Sequence, residues 1–129
     1  MRRSVLSLAR TILCGVLLMG AAQIACAADE SVALIARFYA APGREAEVEA
    51  RFLKVVAFVR KAEPNITYKL YRSKTDPSVF MFYEVYPSQA ARDEHQNVHI
   101  PAFQKEFGAV PEGFYARPAE REFFRALAN

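Results

Sequence analysis

Apolar and polar positions alternate in blocks along most of this chain. From Val32 to Tyr39 (VALIARFY) every residue is β-branched, aliphatic, small or aromatic except Arg37. Such a run predicts a strand buried on both faces, or nearly so. Ala41-Pro42-Gly43 then turns the chain. Over Arg44 to Lys61 the pattern changes period, and Val48, Phe52, Val55, Val56 and Val59 fall on one helical stripe. Glu45, Glu47 and Glu49 crowd its start while Arg60 and Lys61 close it, each sign where a helix dipole favours it. Pro64 stops the helix.

Ile66 to Ser73 (ITYKLYRS) alternates as a strand, with Ile66, Tyr68 and Leu70 on one side. Thr75-Asp76-Pro77-Ser78 supplies turn chemistry. Val79 to Tyr86 (VFMFYEVY) is the next strand, so the short link predicts an antiparallel hairpin. Pro87 ends that run, and Ser88 is placed to cap a helix over Gln89 to Gln96. A break is expected near Asn97 to His99. A short helix then runs from Pro101 through Phe107, with Phe103 and Phe107 one turn apart. Gly108 to Ala116 reads as loop. Glu120 to Leu127 (EREFFRAL) has helical propensity, but a final strand there completes a sheet, and a strand is the reading adopted.

The predicted order is strand, helix, strand, strand, helix, strand. That is an α+β, ferredoxin-like βαββαβ sandwich: four antiparallel strands with helices on one face. The opposite face carries large apolar and aromatic residues and needs cover. Pairing two copies about a twofold axis is the expected way to provide it.

The beginning of the chain follows another logic. Arg2, Arg3 and Arg10 precede an apolar stretch from Thr11 to Ala22, and Ala25-Cys26-Ala27 offers small residues after it. Charged, apolar, small is the layout of a cleavable signal peptide. The expectation is therefore a leader over residues 1–27 and a single domain over 28–129. The protein would be exported in a bacterium, periplasmic or secreted, and would keep no stable membrane anchor after cleavage. Charge then looks different. The chain has 17 basic and 14 acidic residues, but three of the arginines lie in the leader, which leaves 14 of each. Neither nucleic acid nor an anionic membrane is an expected partner of so balanced a domain. Both cysteines, Cys14 and Cys26, also belong to the leader, so a disulfide framework and a thiolate nucleophile are excluded from the domain.

Candidate chemistry is sparse. No glycine-rich phosphate loop and no nucleophile elbow occurs. His95 and His99 are four residues apart, but the expected break spoils a shared helical face, and no metal site is predicted. These two histidines are still the side chains whose ordinary pKa lies nearest neutrality. Glu84, the one charge in VFMFYEVY, is expected either to pair with an arginine such as Arg72 or to be held protonated by burial. Of these the ion pair is the first expectation. Tyr68, Tyr71, Tyr83 and Tyr86 are either core and interface residues or groups that orient an aromatic ligand.

The run from Tyr68 to Tyr86, followed by Ala90-Ala91, His95 and the His99 to Phe103 segment, resembles the antibiotic biosynthesis monooxygenase family. The Asp76-Pro77 turn, Glu84, His95 and His99-Ile-Pro-Ala-Phe103 carry the likeness, and Pro42-Gly43 fits it. Quinol monooxygenases and polyketide anthrone oxygenases are members. The resemblance implies a homodimeric α+β barrel with an apolar pocket between sheet and helices in each subunit. It also implies oxidation of a quinol or other small phenol by molecular oxygen as co-substrate, with no metal and no organic cofactor. On that basis His95, His99 and Glu84 are the expected catalytic residues, with either histidine as the base. Tyr68, Arg72, Phe82, Tyr83 and Phe103 are the expected substrate-binding set. The chain has no tryptophan, and Arg37 and Phe38 stand where the haem-degrading branch has its asparagine, so haem degradation is not expected. A non-catalytic barrel that binds a small apolar ligand and an isomerase of a small hydroxy-carbonyl compound remain alternatives, since one fold hosts many functions.

Overall fold

A computed structural model of the chain describes residues 30–128. The expected leader, Met1 to Ala27, lies outside these described residues. Strand β1 (Val32–Ala40) leads through the Pro42-Gly43 turn into helix α1 (Glu45–Ala62), followed by β2 (Thr67–Arg72) and β3 (Val79–Tyr86). Helix α2 (Gln89–Glu94), a π-helical turn (His95–His99) and helix α3 (Ile100–Phe107) then run without interruption, and β4 (Tyr115–Arg125) closes the domain. The strands form one sheet in the order β2-β3-β1-β4, with all neighbours antiparallel. This is the ferredoxin-like α+β arrangement.

Alternation fixes which side chains meet the helices. Leu34, Ala36 and Ala40 of β1, Tyr68 of β2, and Phe80, Phe82, Glu84 and Tyr86 of β3 are all buried on the helix side. Helix α1 lays Val48, Phe52, Val55, Val56 and Val59 against them. Phe52 is the hub: its ring lies 5.0 Å from that of Phe38, 4.9 Å from Phe82 and 5.7 Å from Phe80, each edge-on. Edge-to-face contact sets the positive rim of one ring on the negative face of the next, adding to what burial alone provides.

Two local expectations change. No break separates the helices at Asn97 to His99. Pro101 has no N–H, and its ring would collide with the carbonyl four residues back in a regular α-helix. The chain widens instead, and the Ile100 N–H bonds back to the His95 carbonyl, five residues away. Pro101 then sits harmlessly in the first turn of α3.

The last strand also begins earlier than expected, at Tyr115 rather than Glu120. Ala40 pairs with Tyr115, Tyr39 with Arg117, Arg37 with Glu120 and Ala36 with Arg121, with register shifts on both sides of Tyr39. Three steps of β4 therefore match two of β1 around Pro118 and Ala119, which is a bulge. A proline is tolerated at such a point because it owes the ladder no hydrogen bond.

Candidate active site

Chemistry converges on a cavity of about 90 Å³ between the helix side of the sheet and the helical segment that follows β3. Tyr68, Phe82, Glu84 and Tyr86 line it from β2 and β3, with Leu34, Ala36 and Phe38 beside them from β1. Arg92, His95, Gln96 and Ile100 close it from above, and Arg121 reaches it from β4. Hollows of about 290 and 480 Å³ also lie along α1 and α3, but they are surface grooves in which no acid–base pair meets.

His95 is buried, and its Nδ1 lies 2.7 Å from Oε2 of Glu63. Glu63 is the residue that ends α1, where its own N–H still bonds to the Val59 carbonyl. A carboxylate at a helix C-terminus faces the negative end of the dipole. The imidazole N–H supplies the compensating partner. With Nδ1 engaged by a carboxylate, the neutral ring carries its proton there, and Nε2 is the basic nitrogen left for the cavity. The ring sits between those of Tyr68 and Tyr86, at centroid distances of 5.3 and 5.4 Å.

Glu84 is the second buried carboxyl in the cavity wall. Its partner is the hydroxyl of Tyr86, which donates to Oε2. Burial raises its pKa above the ordinary carboxylate value, against the opposing pull of the Tyr86 bond and of His95, Arg121 and Arg92. Burial also pushes the Tyr68 phenol well above its usual range, with the Glu84 and Glu63 carboxylates adding to the effect. The Tyr86 phenol moves the same way, again chiefly through burial. Both tyrosines are therefore hydrogen-bond donors at neutral pH rather than bases.

The residues singled out from the sequence divide between this cavity and other places. Tyr68, Phe82, Glu84 and His95 line it. Arg72 does not meet Glu84: its guanidinium pairs with Glu49 at 2.7 Å and donates to the Pro77 carbonyl at 2.8 Å. Register explains the correction. Tyr68 stands opposite Glu84, while Arg72 stands opposite Phe80. Four residues along a strand amount to about 13 Å. Tyr83 points to the other face of the sheet, where it is partly exposed. His99 is half-buried, with Nε2 3.7 Å from the Glu94 carboxylate, and is not among the cavity residues. Phe103 is buried in the core against Phe58 and Phe107 and faces the groove along α1.

Glu63, Arg92 and Arg121 belong to the site but were not singled out by sequence reasoning. Glu63 carried a readable signal, an acidic residue just before a helix-ending proline, where the dipole opposes it. Arg121 carried none, because the bulge decides which way it points.

This arrangement has relatives. Residues 31–106 match the antibiotic biosynthesis monooxygenase family. The chain belongs to that family. Among solved structures it is similar to the protein PA3566 of Pseudomonas aeruginosa, at 25% identity and a TM-score of 0.65, over 78% of this chain and 98% of that one. A Caulobacter crescentus CB15 protein provisionally assigned to the same family is 27% identical, with a TM-score of 0.65, over 78% of this chain and 93% of that one. Rv0793 of Mycobacterium tuberculosis is 25% identical, with a TM-score of 0.61, over 77% and 97% of the two chains. No curated protein matches the chain by sequence.

Proposed function

We propose that the protein is a cofactor-independent monooxygenase that oxidises a quinol or similar small phenol with molecular oxygen. The observation that carries this reading is the Glu63–His95 pair, a carboxylate-oriented imidazole at the wall of an aromatic cavity. Such a pair is the arrangement that fixes a general base and stabilises the imidazolium formed when it accepts a proton. Here Nε2 of His95 takes the phenolic proton. The electron-rich phenolate then reduces oxygen directly, and the protein's task is to hold the ring, stabilise the anion and keep water out. For a hydroquinone the atoms balance without an outside reductant. One oxygen atom forms a bond to a ring carbon, the O–O bond breaks, and the second oxygen leaves as water with two hydrogens of the substrate. The ring ends as a hydroxyquinone.

Size constrains the substrate. A cavity that takes benzene has about 150 Å³, so a site of about 90 Å³ admits one ring only after a lining side chain moves. Ile100 and Gln96, on the segment that begins with the widened helical turn, are placed to do so. The same reading includes a homodimer formed through the sheet face opposite the helices, where Ile35, Tyr39, Met81 and Tyr83 lie incompletely covered. It also includes export, supported by the charged, apolar, small order of the first residues.

Oxygen uptake in the presence of hydroquinones tests the reaction. The parent protein should consume oxygen without added metal, flavin or nicotinamide, and His95→Gln should lose most of that rate. Unchanged uptake by the variant sinks the assignment of the base. Ligand stabilisation without uptake favours a binding protein, and anaerobic conversion of a hydroxy-carbonyl compound favours an isomerase.

A further inference from the structure

The cavity has a cationic rim that the proton transfer just described does not use. Arg92 approaches from α2 and Arg121 from β4, and both line the opening. Each guanidinium lies over an aromatic ring, Arg121 5.7 Å from the Phe38 centroid and Arg92 5.1 Å from that of Phe123. Arg92 makes one long contact, 3.5 Å to Asp93 beside it in the chain. Arg121 makes no ion pair or side-chain hydrogen bond among the described residues, and neither arginine is in ion-pair contact with Glu84.

The strand register explains why Arg121 stands apart. It pairs with Ala36, whose small side chain leaves space on the helix side. Its chain neighbours Glu120 and Glu122 pair with Arg37 and Ile35 and take the other face of the sheet. The bulge thus sorts this charged stretch, with the cation toward the cavity and both carboxylates away from it. The other polar groups of the lining are Tyr68, Gln96, Glu84, tied to Tyr86, and His95, tied to Glu63. Both guanidinium charges act on Glu84 through space and oppose the effect of its burial, but the direct partner of its carboxyl is the Tyr86 hydroxyl.

We propose that Arg92 and Arg121 bind a carboxylate carried by the substrate ring, so that the preferred substrate is a hydroxy-aromatic acid rather than a neutral quinol. Guanidinium forks match a planar carboxylate in two-point contact. The ring enters between Phe38, Phe82 and Tyr68, with its hydroxyl toward His95 and its carboxylate held at the rim. This rests on the oxygenase reading for its hydroxyl-to-His95 orientation, but the anion site stands on geometry alone.

The test compares hydroquinone with 2,5-dihydroxybenzoate on the full chain, by calorimetric binding under anaerobic conditions and by oxygen uptake. The carboxylated probe should bind about tenfold more tightly at low salt, and the advantage should shrink as salt is raised. Arg92→Gln and Arg121→Gln should each reduce the ratio of the two affinities, and Arg121→Lys should restore part of it. Equal affinity for the two probes, no binding of either, or a ratio untouched by both glutamine variants overturns the proposal. A carboxylate preference in binding with no oxygen uptake upholds the anion site and removes the oxygenase reading instead.

Discussion

Glu63 at the end of α1 and His95 at the start of the widened helical turn meet at 2.7 Å across a separation of 32 residues. The contact ties the first helix to the second on the cavity side of the sheet. It also makes one carboxylate responsible for both the stability and the orientation of the imidazole.

Replacing Glu63 should separate those two roles. Glu63→Ala leaves a buried imidazole nitrogen without a partner and should cost about 1–3 kcal/mol, measured by urea unfolding. Glu63→Gln keeps the shape and much of the stability but no longer balances an imidazolium. Its oxygen uptake should fall at least tenfold while its urea midpoint moves little. Parental uptake by this variant would mean that the carboxylate does not assist the base.

Glu84 should leave a signature in the pH dependence of stability. Its folded pKa is raised above the ordinary value of 4.5 by burial. The folded state therefore keeps a proton that the unfolded chain has lost. Stability from this source is complete below about 4.5 and is lost as pH rises through the folded pKa. Glu84→Gln removes the titration and still accepts the Tyr86 hydroxyl at its amide oxygen. The difference in urea midpoint, variant minus parent, should grow in the variant's favour from pH 4 to pH 8. A difference that stays flat contradicts the raised pKa.

Tyrosine titration reads burial directly. The chain has six tyrosines. Burial pushes Tyr115 up to about 12 and raises Tyr68 and Tyr86 well above the ordinary phenol value. Absorbance of the folded protein at pH 10.5 should show these three largely un-ionised. Stability linked to their protons is complete below about 10 and declines as pH climbs beyond it, so unfolding in alkali should release all three together. Six phenols titrating together near 10 in the folded protein would contradict their burial.

The aromatic hub gives the largest expected stability effect. Phe52→Ala removes a ring packed edge-on against three others and should cost about 3–5 kcal/mol, with helix and strand signals retained at low temperature. A cost below about 1 kcal/mol would mean that the neighbouring rings collapse into the space.

Much of this architecture was legible because the relevant signals are local. The stripe from Val48 to Val59 fixed α1, and Val79 to Tyr86 is the whole of β3, since periodicity and turn residues act over one or two turns of chain. The pairings were not legible. Arg72 and Glu84 share a face, yet hairpin register sets them four positions apart, and no property of either residue encodes that number. The helical segment escaped in another way: Pro101 reads as the start of a separate helix after a break, whereas one wide turn joins the two without interruption. Of the site, Tyr68, Phe82, Glu84 and His95 stood out by type and context. Glu63 and Arg121 needed the tertiary arrangement, one through a helix end and the other through an irregular strand.

That irregular strand has a consequence for how the domain can vary. The bulge around Pro118 and Ala119 decides which side of the sheet receives everything after it. Straightening the strand there without losing a residue would exchange the two sides: Arg121 would leave the cavity rim, and Glu120 and Glu122 would turn toward it. Loss of the bulge at constant length could thus reverse the charge a ligand meets while leaving every helix in place, so related chains could acquire opposite ligand preferences without any change in the residues that carry the chemistry.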